Sequence, residues 1–217
     1  MAPISSRLAP ICGLLVLPVF TFGWLVGGLA QPASYSWIRH DISDLGAMTA
    51  DQPWIYNQIG ANLTGLLLLA FAVGLWRALG SSRMARAGVS LLAIVAIDQF
   101  LDGFLRLDCR ALDPGCAQQP ASWHAVAHVI ESTVTIFSLL VVPFVFAWAL
   151  RRVSGWADLS RPTLLFGVAA IVAVFGLTIL AEGIGPRAAA TIWFAWVALL
   201  AYRLLRLETR SPDAPAG

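Results

Sequence analysis

Six long apolar runs alternate along the chain with short polar stretches. They cover approximately residues 11–30, 60–79, 87–105, 125–150, 163–183 and 188–205. Each run is near the roughly 20 residues that an α-helix needs to cross the hydrocarbon core of a bilayer. The pattern therefore predicts an all-α, polytopic membrane bundle of six transmembrane helices. The first run is longer than the apolar part of a signal peptide, which favours an uncleaved helix.

The composition leaves little room outside such a bundle. The 217 residues are 59% hydrophobic and 12% charged, with a mean hydropathy of +0.77, which is too apolar for a soluble domain. We predict a transmembrane domain over residues 1–207 and a short disordered C-terminal tail over 208–217. The 14 basic residues are dispersed arginines, and the chain has no phosphate-binding loop. We therefore expect the bilayer and a hydrophobic small molecule as partners, and neither a nucleic acid nor a nucleotide.

The charges are distributed unevenly between the two membrane faces. With a cytoplasmic N-terminus, ten arginines fall on the inner side and four on the outer side. The positive-inside rule then predicts that both termini are cytoplasmic in a multi-pass protein of the cell (plasma) membrane. Nine of the twelve acidic residues and all three histidines fall in the outer half instead. The side chains best suited to chemistry therefore converge on one face.

The third run carries two acids where a membrane protein rarely has them. Asp98, Asp102 and Arg106 follow one another at four-residue steps, so a helix would place all three on one face. An ionisable group inside a bilayer is costly and is a candidate functional residue. One interpretation is a structural salt bridge between Asp102 and Arg106. The other is that the carboxyl left over takes part in catalysis.

The fourth run begins with a pair of histidines. His124 and His128 are four residues apart, with Glu131 one turn further on. This spacing can present two imidazoles to one metal, which then needs a third ligand. The histidines could instead bond loop carbonyls or act as acid and base. The candidates for the third ligand are His40, Asp44 and Asp98. For a zinc enzyme we predict that His40, His124 and His128 bind the metal.

The remaining candidates come from several parts of the chain. The predicted catalytic acids are Asp44, Asp98, Asp102 and Glu131. The residues expected to bind substrate are Asn57, Arg106, Trp123 and Trp193. Cys109 and Cys116 flank an Asp-Pro-Gly turn, and in an oxidising compartment we expect them to form a disulfide.

A short motif gives the chain a family resemblance. The segment Ile42-Ser43-Asp44-Leu45-Gly46, a helix starting near Tyr56-Asn57 and a histidine opening the fourth helix resemble the bacterial and archaeal membrane family called domain of unknown function 998. That resemblance implies a six-helix architecture more than an activity. The family shows a Phe-Pro-x-Asp type sequence where this chain has Leu107-Asp108-Cys109, so Asp108 is the matching position.

A looser analogy concerns membrane hydrolases of the alkaline ceramidase and adiponectin-receptor type. These proteins hold zinc with three histidines beside an aspartate and a serine. The three histidines of this chain, with Ser43, Asp44 and the acids of the third helix, could play comparable parts.

Three kinds of function fit these observations. The first is an enzyme acting on a lipid or isoprenoid, by metal-assisted hydrolysis or by acid-initiated cyclisation. The second is a non-catalytic subunit that binds a lipid or a protein partner. The third is a proton-coupled transporter, which would need polar residues along a path to the inner face. The inner parts of the last three runs are almost entirely apolar, which makes the transporter the weakest of the three.

Overall fold

The computed structural model describes residues 5–79, 82–111, 113–116 and 122–210. Within these residues there is no β-strand, and six helices are long and apolar enough to cross a membrane. The predicted six-helix bundle is thus confirmed, and the chain is a multi-pass membrane protein. The helices are α1 (Ser5–Leu29), α2 (Ile55–Leu79), α3 (Arg83–Asp102), α4 (Trp123–Leu150), α5 (Ala157–Leu180) and α6 (Ile184–Arg210).

The helix ends differ from the ends of the apolar runs. Helix α2 begins with a π-helical segment, Ile55–Leu63, whereas the apolar run starts at residue 60. Helix α3 ends at Asp102 rather than at residue 105. Helix α6 continues to Arg210, so it includes the first residues of the predicted tail, and 211–217 lie outside the described residues. Hydropathy marks the hydrocarbon layer, whereas backbone hydrogen bonding carries a helix into the polar interface.

The six helices form a closed ring in chain order. Each helix packs against the next one, and α6 returns to pack against α1, as the short connections favour. Small residues allow the backbones to approach closely. A Cβ atom added to Gly65 of α2 would lie 2.4 Å from the backbone nitrogen of Phe100 in α3. Larger residues at such positions would force neighbouring helices apart.

One half of the bundle is filled by tightly packed apolar side chains, and we call it the packed half. The rings of Phe146 and Trp196 meet edge to face at 5.3 Å between centroids. The indole of Trp196 also donates a hydrogen bond of 3.1 Å to the Thr163 hydroxyl. The centre of this half is formed by Phe71, Phe146, Trp193, Trp196 and Leu200, each at most 1% exposed.

The opposite end of the bundle is closed by the described parts of residues 30–54 and 103–122, which we call the cap. The backbone N–H of Met48 donates to the Leu107 carbonyl over 2.9 Å, which joins the two segments. A disulfide links Cys109 with Cys116, the two cysteines expected to pair. Arg110 forms an ion pair with Asp113 at 2.8 Å. The cap is therefore held by many polar contacts rather than by an apolar core.

A buried arginine ties the cap to the last helix. Arg187 of α6 donates hydrogen bonds to the carbonyls of Trp37, His40 and Asp41, and to the Tyr35 hydroxyl. Burial raises the pKa of Tyr35 to about 12, so this hydroxyl stays protonated at physiological pH. One guanidinium thus satisfies several buried acceptors of the loop at once.

Candidate functional site

A cavity of about 170 Å³ lies between the cap and the packed half. Its apolar wall includes Phe20 and Phe194, whose rings are 4.6 Å apart. Such a space suits a molecule with a polar end and an apolar chain. The polar residues on its wall are Asp41, Ser43, Tyr56, Gln99, Asp102, Glu131, Ser132 and Thr135.

His128 is at the centre of a buried polar cluster behind this wall. Its Nδ1 atom lies 2.9 Å from the Leu105 carbonyl and 3.2 Å from Asp102 Oδ1. Because a carbonyl only accepts hydrogen bonds, Nδ1 must carry a proton. In the neutral ring Nε2 is then an acceptor, 3.3 Å from the Ser132 hydroxyl, which has one proton to donate either to Nε2 or to Glu131. The surroundings therefore fix both the orientation and the tautomer of the imidazole.

Asp102 connects three helices within this cluster. It is the last residue of α3, and its Oδ1 faces His128 of α4. Its Oδ2 accepts a hydrogen bond of 3.2 Å from the Tyr56 hydroxyl, which belongs to the π-helical start of α2. Asp102 is therefore an acceptor for two potential proton carriers.

Glu131 brings a second carboxyl to the same place. It accepts hydrogen bonds of 3.4 Å from the hydroxyls of Ser132 and Thr135, and it lies 3.7 Å from Nδ1 of His128. Glu131 is eight residues into α4, so it is about 12 Å below the start of the helix at 1.5 Å per residue. This depth places a polar group within the hydrocarbon layer, where it needs partners.

Asp98 completes the acidic side of the cluster. It is one turn before Asp102 and interacts with Glu131. Its Oδ2 atom is buried without a hydrogen-bond partner among the described residues. In the part of the chain that the structure describes, no arginine forms an ion pair with Asp98, Asp102 or Glu131. Three carboxyls therefore share one imidazole.

The described residues contain one group that could hold a metal ion. It consists of Asp102, His128 and Glu131, whose candidate ligand atoms all lie within 4.8 Å of one another. The two other histidines are engaged elsewhere. Nδ1 of His40 accepts from the Ser36 backbone over 3.0 Å, and Nδ1 of His124 lies 2.7 Å from the Arg106 carbonyl. The predicted zinc site of three histidines is therefore not assembled.

The salt bridge between Asp102 and Arg106, one of the two interpretations of the third run, is absent among the described residues. Because α3 ends at Asp102, the four-residue step that would align the two side chains is interrupted. Arg106 instead donates to the carbonyls of Gly46 and Ala47, at 3.1 and 3.3 Å. Its role is to hold the two parts of the cap together.

Asp44, one of the predicted catalytic acids, is also a residue of the cap. It is 1% exposed, and it is absent from the cavity wall among the described residues. Its two oxygens accept from the backbone N–H groups of Asp41 and Ala111, at 3.1 and 3.0 Å. Burial raises the pKa of Asp44, while the hydrogen bond from Ala111 opposes this effect. The side chain is thus used to position loops.

Residues next to Asp44 in the motif also pack and position the loop. Ser43 lines the cavity, and Leu45 is fully buried. The Gly46 carbonyl accepts a hydrogen bond of 3.1 Å from the Asn57 amide. A Cβ atom on Gly46 would lie 2.2 Å from Oδ1 of Asn57. The motif therefore needs a glycine there for close packing, and Asn57 is a structural partner rather than a residue of the cavity wall.

The other predicted substrate-binding residues also lie away from the cavity. Trp123 is 76% exposed at the start of α4, and Trp193 is a core residue of the packed half. Sequence reasoning missed Asp41, Tyr56, Gln99, Ser132 and Thr135, all on the cavity wall. For Ser132 and Thr135 there was a signal, since they follow His128 and Glu131, respectively, at four residues in a helix.

Asp41 gives the cavity a third carboxyl, on its cap side. It is partly buried, and its Oδ1 accepts from the Ile42 backbone over 2.5 Å. Burial raises the pKa of Asp41 above its ordinary value. The cavity therefore has acidic groups both on the cap side and on its helical wall.

The family predicted from the sequence motif is confirmed by comparison with known proteins. A family described as "Protein of unknown function (DUF998)" matches residues 14–205. That stretch reaches into all six helices and contains every residue of the acidic cluster. Neither a curated protein nor a solved structure matches the chain.

Proposed function

The chain belongs to the membrane family described as "Protein of unknown function (DUF998)", and since membership brings no activity with it, we propose one from the site itself. The protein is a membrane-embedded enzyme that acts on a lipid or isoprenoid by acid–base chemistry. The groups that carry the reaction are Asp102, His128 and Glu131.

The observation that carries this proposal is the position of the acidic cluster on a cavity with an apolar wall. Asp102 and Glu131 line the same cavity as Phe20 and Phe194. A lipid-like substrate can place its chain against the rings and its reacting group against the carboxyls. Enclosure of this kind excludes water and strengthens electrostatic interactions.

We infer a lateral entrance from the bilayer, which supports the same conclusion. Ile136 of α4 lines the cavity and is 45% exposed. Val174 of α5 lies on the same wall and is partly exposed. A substrate dissolved in the membrane can therefore reach the cavity between α4 and α5 without crossing water.

The proton transfers follow from the hydrogen bonds of the cluster. Two neighbouring carboxyls in an apolar setting share one proton more easily than they carry two charges, so Asp98 and Glu131 form a reservoir for a general acid. His128, oriented by the Leu105 carbonyl and Asp102, is suited to accept a proton at Nε2. Protonation of an alkene or epoxide would leave a cation that aromatic faces of Phe20 and Phe194 stabilise. The cation then loses a proton to the cluster, which forms the product and restores the acid.

Metal-assisted hydrolysis is the second candidate, because Asp102, His128 and Glu131 lie close enough to share an ion. A metal bound at Nδ1 of His128 would have to displace its hydrogen bond with the Leu105 carbonyl. This competition favours the version without a metal. Metal analysis of the purified protein separates the two, since one bound zinc per chain would support hydrolysis instead.

A transporter fits the site less well than an enzyme. The packed half, centred on Trp196 and Phe146, leaves no polar continuation of the cavity among the described residues.

The arginine distribution and the disulfide in the cap favour a cap on the non-cytoplasmic side of the plasma membrane. Labelling of the reduced cysteines in intact cells with a membrane-impermeant reagent tests this orientation.

The function is tested with purified protein in nanodiscs supplied with a total lipid extract of the source organism. Mass spectrometry should detect a product with the wild type. Glu131→Gln and His128→Asn should each lower its rate at least about 100-fold, the usual contribution of a general acid or base. Glu182→Gln makes the same chemical change at an exposed position and should leave the rate unchanged. A Glu131→Gln protein with full activity would exclude the proposed acid.

A further inference from the structure

We propose that the cavity selects an amphiphile whose polar end donates hydrogen bonds and carries no phosphate, namely an alcohol or an amine. The inference rests on the proposed function and names the substrate class of that same site. It starts from the charges on the wall. The described residues that line the cavity include three carboxyls, Asp41, Asp102 and Glu131, and no arginine, lysine or histidine.

Three of the four arginines at this end of the bundle are engaged elsewhere, and the fourth, Arg39, is exposed and does not line the cavity. Arg187 donates to carbonyls of the cap and to Tyr35. Arg106 donates to the Gly46 and Ala47 carbonyls, and Arg110 pairs with Asp113. Binding sites for phosphate usually supply arginine forks or free backbone N–H groups. No described arginine lines the cavity to balance a phosphate against the carboxyls.

The helix terminus nearest the cavity does not supply the missing donors. Helix α6 begins beside the cavity, and Pro186 of its first turn lines the wall. Proline has no N–H group. The N–H groups of Gly183, Ile184 and Gly185 already donate to the carbonyls of Ile38 and Ala181. An anionic group at this terminus would find its nearest backbone donors occupied.

The cavity wall is instead rich in acceptors. Asp41, Asp102 and Glu131 line the space, and the Tyr56 hydroxyl already donates to Asp102. Each carboxyl oxygen has two lone pairs and can accept a further hydrogen bond. A hydroxyl or an ammonium group supplies such a donor, whereas a phosphate adds acceptors and a like charge. The same contrast separates a free alcohol from its phosphate ester.

The size of the cavity limits how much of the ligand it encloses. Its volume of about 170 Å³ is below the roughly 300–1,000 Å³ of pockets that enclose a whole drug-sized ligand. The polar end and the first carbons of a chain fit inside. The remainder passes out beside Ile136 into the bilayer.

The test compares three probes with one common chain: dodecanol, dodecylamine and dodecyl phosphate. Each is added at equal mole fraction to the full-length protein in phosphatidylcholine nanodiscs, and bound probe is counted by native mass spectrometry. We expect the alcohol and the amine to bind at least 10-fold more tightly than the phosphate. Equal or tighter binding of dodecyl phosphate would overturn the proposal.

Two variants assign this selectivity to the wall. Gln99→Arg adds a cation to the lining and should increase the relative binding of dodecyl phosphate at least 10-fold. Glu131→Gln removes an ionisable carboxyl without changing shape and should lower the binding of dodecylamine more than that of dodecanol. Glu182→Gln should change none of the three affinities. Unchanged selectivity in Glu131→Gln, or in a folded Gln99→Arg protein, would contradict the assignment.

The binding measurement needs no turnover, so it fails independently of the proposed function. Selective binding without a product in the lipid assay would retain the ligand class and remove the enzyme. A product formed by a protein that prefers dodecyl phosphate would do the reverse.

Discussion

The packed half and the cap are ordered by different forces. Side chains such as Phe146 and Trp196 fill the packed half and make almost no polar contacts beyond one indole hydrogen bond. The cap has few large buried side chains and is held by arginines, backbone carbonyls and a disulfide. The first region depends on volume, and the second depends on satisfied hydrogen bonds.

The cavity lies where these two regions meet, and this position has a consequence. Carboxyls that lack a basic partner lower stability, so they need a rigid surrounding to hold them. The packed half supplies that rigidity from one side and the cap from the other. Substitutions should therefore separate into those that change folding and those that change chemistry.

The largest effect is expected from removing a large side chain in the packed half. Trp196→Ala should lower the free energy of unfolding by about 3–5 kcal/mol, because it leaves a cavity and an unpaired Thr163 hydroxyl. Trp148→Ala, at a site that is 40% exposed, is the matched control and should cost far less. Thermal unfolding in detergent measures both. Equal losses would show that the packed half does not dominate stability.

The next effect concerns the arginine that joins the cap to α6. Arg187→Met keeps the apolar stem but leaves the carbonyls of Trp37, His40 and Asp41 without their donor. We expect a loss of about 3 kcal/mol, typical of removing one partner of a buried charged network. Arg187→Lys should recover part of it, because an ammonium retains the charge without the planar fork.

The control for this substitution is in the same loop. Arg39 is exposed, and Arg39→Met should leave the unfolding temperature unchanged. If Arg187→Met were equally harmless, the cap would be held mainly by its other contacts. Hydrogen exchange of the Trp37 to Asp41 segment shows which part of the molecule loosens first.

A smaller change in stability, of opposite sign, is expected from a substitution in the cavity wall. Glu131→Gln removes a buried ionisable carboxyl that has no arginine partner, while its remaining carbonyl oxygen can still accept from Ser132 or Thr135. Stability should stay constant or rise by about 1 kcal/mol, even as activity falls. A clear loss of stability would mean that Glu131 is mainly structural. The same thermal measurement, made beside the lipid assay, decides between these outcomes.

The bundle could be predicted from sequence because the bilayer allows few alternatives. A spanning segment must satisfy its own backbone hydrogen bonds, so long apolar runs become helices. Helical steps of four and of three residues also placed Asp98 with Asp102, and His128 with Glu131, on common faces. That much of the cluster needs only helical periodicity within one span.

The rest of the site depended on information that periodicity does not carry. Arg106 follows a helix end, so its side chain left the face that spacing had assigned to it. Asp44 and Asp41 lie three residues apart in a loop, and only the loop path determines that Asp41 reaches the cavity. Tyr56 contacts Asp102 across 46 positions of sequence. Contacts between loops and distant helices are properties of the packed bundle, and no single span contains them.

The smallest effect concerns the pH dependence of the cap. Although burial opposes it, hydrogen bonds from Arg110 and Thr49 hold the pKa of Asp113 below its ordinary value. A lowered pKa means that this pair stabilises the folded state above the ordinary value of about 3.9 and loses that contribution as the pH falls through the folded value. For a pair this close to the surface the contribution should be below about 1 kcal/mol.

Asp41 and Asp44 complicate this measurement, because their pKa values are raised and their effect has the opposite sign. Acidification protonates them in the folded state first, which favours folding while the Asp113 pair weakens. The difference in unfolding temperature between wild type and Asp113→Asn cancels their contribution, since both proteins retain them. We expect this difference to be constant near neutral pH and to shrink below about pH 4. A difference that does not change with pH would show that the cap does not depend on its ion pair.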